Sequence, residues 1–214
     1  MSASNQSQKV NIPPLLIQRD IKPNVTESVY FETPTLKMLI ALNGPYYSST
    51  KTNDDSKMDI NIKIKIPSYC NVSQTSITNN ESQLEEMLTK HFIISKYPRT
   101  KLEILIEVFE FQSDYLPYAV MGISLCACYA NIEQKGLLTC CKVIIDENQK
   151  VIVDPLLVNE KSSISKFVVG CNIALKENFM FKQDGTCSSL LLKKAIASAI
   201  KICEVYQDFI IKKL

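Results

Sequence analysis

From Lys101 to Phe111 the chain alternates at period two: Leu102, Ile104, Ile106 and Val108 share one face, and Glu103, Leu105, Glu107 and Phe109 share the other. Only a strand sends successive side chains to opposite faces, so this segment is a strand covered on one side. A short turn later, Pro117 opens a run of small and apolar residues through Ala130. The run reads as a helix with proline in its first turn, where the missing amide costs nothing. It is apolar nearly all round, so it has no face to offer water and belongs at the centre of the molecule. A half-covered strand feeding a fully buried helix points to an α/β sandwich.

The rest of the chain supplies the other layers. Met58 to Ile66 alternates again, with Ile60, Ile62, Ile64 and Ile66 on one face and Asn61, Lys63 and Lys65 on the other. Such a strand is expected to need a partner along its edge. Thr35 to Leu42 reads as a strand closed by the turn Asn43-Gly44-Pro45. Glu81 to Ser95 carries Leu84, Met87, Leu88, His91 and Ile94 at helical spacing, with acids in its first turn. His91 is expected to be a surface or half-buried residue, without chemistry. Strands are expected at Cys140–Ile145, Val151–Asp154, Lys166–Leu175 and Asn178–Gln183. The turn Asp184-Gly185 then leads to a helix near Ser188–Lys212, striped by Leu192, Ile196, Ile200, Cys203 and Ile210. Polar stretches 46–57 and 68–80 read as loops, and residues 1–11 as a disordered tail. The order βββ-α-β-α-ββββ-α is that of one α/β (α+β) domain over residues 12–214.

Composition excludes several classes. A chain of 214 residues can bury one sizeable core. Its net charge is only +2, and of 24 basic residues only Arg19 and Arg99 are arginines. A free-standing nucleic-acid binder carries a stronger basic bias, so a stand-alone RNA-binding domain is the weakest functional reading. No apolar run approaches the roughly 20 residues of a membrane span, and the polar N-terminus lacks a signal-peptide core. The sequons at Asn24, Asn71 and Asn80 are therefore read as chance, and the eight cysteines as reduced thiols packed like small hydrophobes. Cys126-Ala-Cys128 and Cys140-Cys141 lack the spacing of a zinc site, and neither a metal nor a cofactor is expected.

The stretch Tyr97 to Ile132, YPRTKLEILIEVFEFQSDYLPYAVMGISLCACYANI, resembles the signature of the RNase PH family: PRT/S, a strand, LQADGG(T/S)R, a small-residue helix, then LADAGI. Shorter echoes are Val151-Ile152-Val153-Asp154-Pro155, Phe167 to Asn172, and Pro34 to Pro45, with the family's first hairpin shortened to Arg19–Pro23. The Asp-Pro pair and the Val-Val-Gly-Cys wording are most similar to the inert, transport-regulator-type branch of the eukaryotic exosome's ring subunits. The resemblance implies an RNase PH-like domain with a ribosomal-protein-like ββαβα core and a long C-terminal helix. It also implies a place in a six-membered ring beside other RNase PH-like subunits and cap subunits. Single-stranded RNA would thread the central channel for rRNA processing and RNA degradation, in the nucleus, nucleolus and cytoplasm.

Family chemistry is phosphorolysis of the RNA 3′ end, which must hold two polyanions together and so needs fixed cations and dipoles aimed at the developing charge. The resemblance places the phosphate grip, Gly-Ser/Thr-Arg, at Asp114-Tyr115-Leu116, and the paired carboxylates at Asp154 and Glu160. Leu116 has no donor, Tyr115 is too large for the place of a small hydroxyl, and Asp114 adds charge of the wrong sign. Losing one oriented donor to such an anion costs about 3 kcal/mol, and replacing a cation costs more. The expected reading is a non-catalytic ring subunit, with Arg99, Lys161 and Lys166 as candidate RNA contacts. Segment Ser73–Ser82, which is basic in the family, carries no Lys or Arg here. The alternative reading is a phosphorolytic or metal-dependent 3′→5′ exoribonuclease with an atypical site.

Overall fold

The expected central helix lies between two sheets. The computed structural model describes residues 14–47, 56–70, 72–112, 114–153 and 163–214. Among these are nine strands: β1 (Leu16–Arg19), β2 (Glu27–Thr33), β3 (Leu36–Tyr47), β4 (Asp59–Lys65), β5 (Thr100–Phe111), β6 (Leu138–Asp146), β7 (Val151–Val153), β8 (Ser163–Asn172) and β9 (Glu177–Gly185). Three α-helices join them: α1 (Gln74–His91), α2 (Leu116–Tyr129) and α3 (Ser189–Ile211). The first sheet runs β1-β2-β3-β5-β4, with only β4 and β5 parallel. The second runs β7-β6-β8-β9 and is antiparallel throughout.

Helix α2 packs on β2 and β3 from one side and on β6 from the other, and α3 covers β6, β7 and β8. Twelve of the fourteen residues of α2 are buried, Leu116 through Ala127, as a helix without a polar face requires. Strand β6, in contact with both α2 and α3, is buried at eight of its nine positions. Gly122 allows the close approach of α2 to the first sheet: a Cβ there would lie 2.0 Å from Ile40 Cδ1 and 3.0 Å from Phe31 Cε2. The buried face of β5 is Leu102, Ile104, Ile106 and Val108, as the alternation requires.

The structure corrects several boundaries. Helix α1 spans Gln74–His91 rather than Glu81–Ser95, because Ser73 caps it and accepts from the Ser76 amide. Its first turns are polar on all but one face, where Ile77 precedes Leu84 and Leu88, so the apolar stripe is sparse there. The sequence reading places no strand at Glu27–Thr33, where β2 lies. Strand β2 pairs with β1, so the first hairpin is present, with Asp20–Thr26 as its connection rather than a contraction to Arg19–Pro23. Strand β3 continues through Asn43-Gly44-Pro45 to Tyr47 by way of an irregularity in the ladder. Strand β8 occupies Ser163–Asn172, not Lys166–Leu175. The expected tail, residues 1–11, lies outside the described residues.

Strand β4 does not need a partner along its edge. The amides of Ile62 and Ile64 donate to Glu85 Oε1 and Glu81 Oε1 of α1, each at 2.8 Å. Two helix carboxylates thus take the place that a neighbouring strand would occupy.

His91 is buried, at 6% exposure, rather than at the surface or half-buried, and its Nε2 donates to the Gly136 carbonyl at 2.7 Å. Burial pushes its pKa below the ordinary histidine value, and the Gly136 bond offsets that only in part. The unfolded chain therefore takes up a proton near pH 6.5 while the folded chain still resists it. This contribution to stability is complete above about pH 6.5 and is lost as pH falls through the lower folded-state value. His91 is the only histidine. Urea-unfolding midpoints of the wild type should fall between about pH 7.5 and pH 5.5. The His91→Gln chain should show a flatter profile; equal slopes would contradict this assignment.

Candidate functional site

The turn between β5 and α2 is where the RNase PH resemblance puts the phosphate grip. A helix N-terminus is ordinarily a ready anion site, because its first amides point outward without partners and the helix dipole favours negative charge. Here that potential is used internally. The Leu116 amide donates to Asp114 Oδ1 at 3.0 Å, and Pro117 has no amide to give. The chain's own carboxylate sits where an anion would be drawn.

Tyr115 turns inward and is only 4% exposed. Its ring meets Phe111 edge-on, with centroids 5.8 Å apart at 76°. Its hydroxyl accepts from Asn80 Nδ2 of α1 at 2.7 Å. Burial pushes the phenol pKa up, the Asn80 bond pulls it partly back, and the nearby charges of Asp114 and Glu81 push it up further. Both of those charges are negative, so the electrostatic surroundings are those of a site that repels phosphate. Leu116 is also buried, at 1% exposure. The turn is therefore a packed joint linking β5, α1 and α2.

Of the other expected site residues, Arg99 and Lys166 are among those the structure describes. Arg99 is exposed and stands just before β5, whereas Asp114 lies beyond its far end. Twelve strand residues separate them, a span on the order of 35–40 Å at about 3.3 Å per residue. Arg99 holds φ +56°, in the left-handed region that non-glycine residues seldom adopt. Lys166 lies on β8 in the second sheet, opposite Ile144 on one side and Asp184 on the other. Asp154, Glu160 and Lys161 lie outside the described residues. The second arginine, Arg19, serves the scaffold: its Nη2 pairs with the buried carboxylate of Glu27 at 2.6 Å, and its guanidinium lies 4.3 Å from the Tyr129 ring centroid.

Sequence reasoning missed Asn80, which lies in one of the sequons read as chance, and Phe111 as the ring that seats Tyr115. Ser73 was the available signal. As a helix cap it places Asn80 on α1, at the height of the turn, instead of in a loop. The eight cysteines are free thiols, five of them buried, with Cys126 pushed well above the ordinary thiol range by burial. Among the described residues, no helix is long and apolar enough to cross a membrane.

No protein-family model matches the sequence, and no curated protein sequence matches it. The fold does match a solved structure, that of Rrp46 from rice (Oryza sativa). The TM-score is 0.82 over 94% of this chain and 93% of that one, at 17% sequence identity. The match extends over nearly the whole length of both chains. This chain therefore has an RNase PH-like fold, the fold of rice Rrp46.

Proposed function

We propose that this chain is a non-catalytic structural subunit of an RNA exosome ring. Its role would be to build the barrel beside other RNase PH-like subunits, to seat cap subunits and to line part of the path of single-stranded RNA. The fold shared with rice Rrp46 supports the ring, and the closed turn supports the absence of catalysis. The observation that carries the reading is Asp114 seated on the first amide of α2, with Tyr115 buried behind it. A phosphate entering there would have to displace a carboxylate and an aromatic side chain, and would find no cation in the turn. Arg99 is the candidate RNA contact, at the opposite end of β5 from the turn. The proposed locations are those of such a machine: nucleus, nucleolus and cytoplasm.

Reconstitution tests the reading. Ring subunits co-expressed with this chain are expected to form a closed assembly, and to fall into smaller complexes when it is left out. A ring that closes equally well without the chain would contradict the structural role.

A further inference from the structure

Where α3 lies on the second sheet, thiols from three elements meet: Cys141 on β6, Cys171 on β8 and Cys203 on α3. Cys203 Sγ is 3.8 Å from Cys141 Sγ and 3.9 Å from the Val169 carbonyl. The Cys141 thiol donates to the Ala199 carbonyl, one turn earlier in α3, at 3.5 Å. Cys141 and Cys203 are both completely buried. The contact with Cys141, together with burial, pushes the Cys203 thiol far above its ordinary range. In the closed fold that sulfur is protonated and uncharged, a state suited to packing and poor at nucleophilic attack.

We propose that Cys141 and Cys203 form a latent disulfide site, which peroxide closes into a bond fastening α3 to β6. This inference concerns the chain by itself and does not rest on the ring reading. Geometry selects the pair. Cys140 is next to Cys141 on the strand, so its side chain points to the opposite face, away from α3. Cys171 also reaches Cys203, but its own thiol is engaged by Asn178 Oδ1 at 3.2 Å. A disulfide holds its sulfurs about 2.05 Å apart, so the pair closes by roughly 1.8 Å through rotation about the two Cα–Cβ bonds. With hydrogen peroxide as the oxidant, one thiol gives up its proton and its thiolate attacks a peroxide oxygen. This leaves a sulfenic acid and, with the released proton, one water. The second sulfur then displaces the sulfenic oxygen as another water and forms the S–S bond. Two thiols are oxidised to one disulfide, and one peroxide is reduced to two waters. Neither sulfur meets solvent in the closed fold, so the first step waits on a local opening of α3, the C-terminal helix. Oxidation is accordingly slow, and the bond, once made, opposes the opening that admitted the oxidant.

Peroxide treatment of the purified, reduced chain tests this, followed by alkylation of the remaining thiols and peptide mapping by mass spectrometry. The wild type is expected to lose two hydrogens and to yield a Cys141–Cys203 crosslink that dithiothreitol reverses. The two cysteines are 62 residues apart in sequence. Closing so long a loop should raise the thermal midpoint by about 5–15 °C, and reduction should abolish the rise. Cys203→Ala should show neither crosslink nor rise, whereas Cys171→Ala should keep both. The wild-type map decides the pairing by itself, whatever the stability of the variants. A wild type whose thiols stay reduced would overturn the proposal. So would sulfinic or sulfonic acids without a crosslink, a Cys171–Cys203 crosslink instead, or a rise in midpoint that persists in Cys203→Ala.

Discussion

Tyr115→Ala is expected to destabilise the chain by about 3–5 kcal/mol, the usual cost of deleting a large buried aromatic side chain. That is a large part of the roughly 5–15 kcal/mol by which domains are stable. The ring is 4% exposed, so its loss leaves a cavity among Phe111, α1 and the first turn of α2. Asn80 would also lose the hydroxyl that its amide engages. Tyr115→Phe separates the two contributions, since it keeps the ring and removes only the hydroxyl, at about 1 kcal/mol. Chemical denaturation of the two variants reads the difference directly. If Tyr115→Ala cost no more than Tyr115→Phe, the ring would not be the plug of the closed turn.

Gly122→Leu is the second large effect, expected to cost about 3 kcal/mol or more, because overpacking a full core forces neighbours off their rotamers. Even the first added carbon meets Ile40 Cδ1 at 2.0 Å and Phe31 Cε2 at 3.0 Å. Both neighbours are completely buried and cannot move aside into solvent. Leucine is the better helix former by nearly 1 kcal/mol, so any gain from propensity works against the expected loss and sharpens the test. Gly122→Ala should fall between the two chains. A thermal midpoint of Gly122→Leu equal to that of the wild type would mean that α2 and β3 are not held at this separation.

The layered core was legible because its periodicities are clean. Leu102 to Val108 announces a half-covered strand, Pro117 to Ala130 a helix without a wet face, and Ile60 to Ile64 a second strand. The parts that stayed hidden carry weaker signals. Strand β2, Glu27–Thr33, buries Val29 and Phe31 but also Glu27, Ser28 and Thr33, so its alternation is blurred by polar residues that find hydrogen bonds only in the fold. The first turns of α1 are Gln, Thr, Ser and Asn around a single Ile77, which a pattern of apolar spacing passes over. At the candidate site, residue types alone give Asp114-Tyr115-Leu116 no cation. They could not show what fills the space. That depended on Asn80 and Phe111, which reach Tyr115 from two different elements through tertiary packing alone.

Measuring phosphorolysis tests the central claim most directly. Labelled single-stranded RNA is incubated with the purified chain, alone and in the assembled ring, with inorganic phosphate or with magnesium and no phosphate. The expected result is that the chain alone releases no nucleoside diphosphates and no monophosphates, and that any activity of the ring is unchanged by Asp154→Asn in this subunit. Phosphate-dependent release of nucleoside diphosphates by the chain, abolished by Asp154→Asn, would contradict the account.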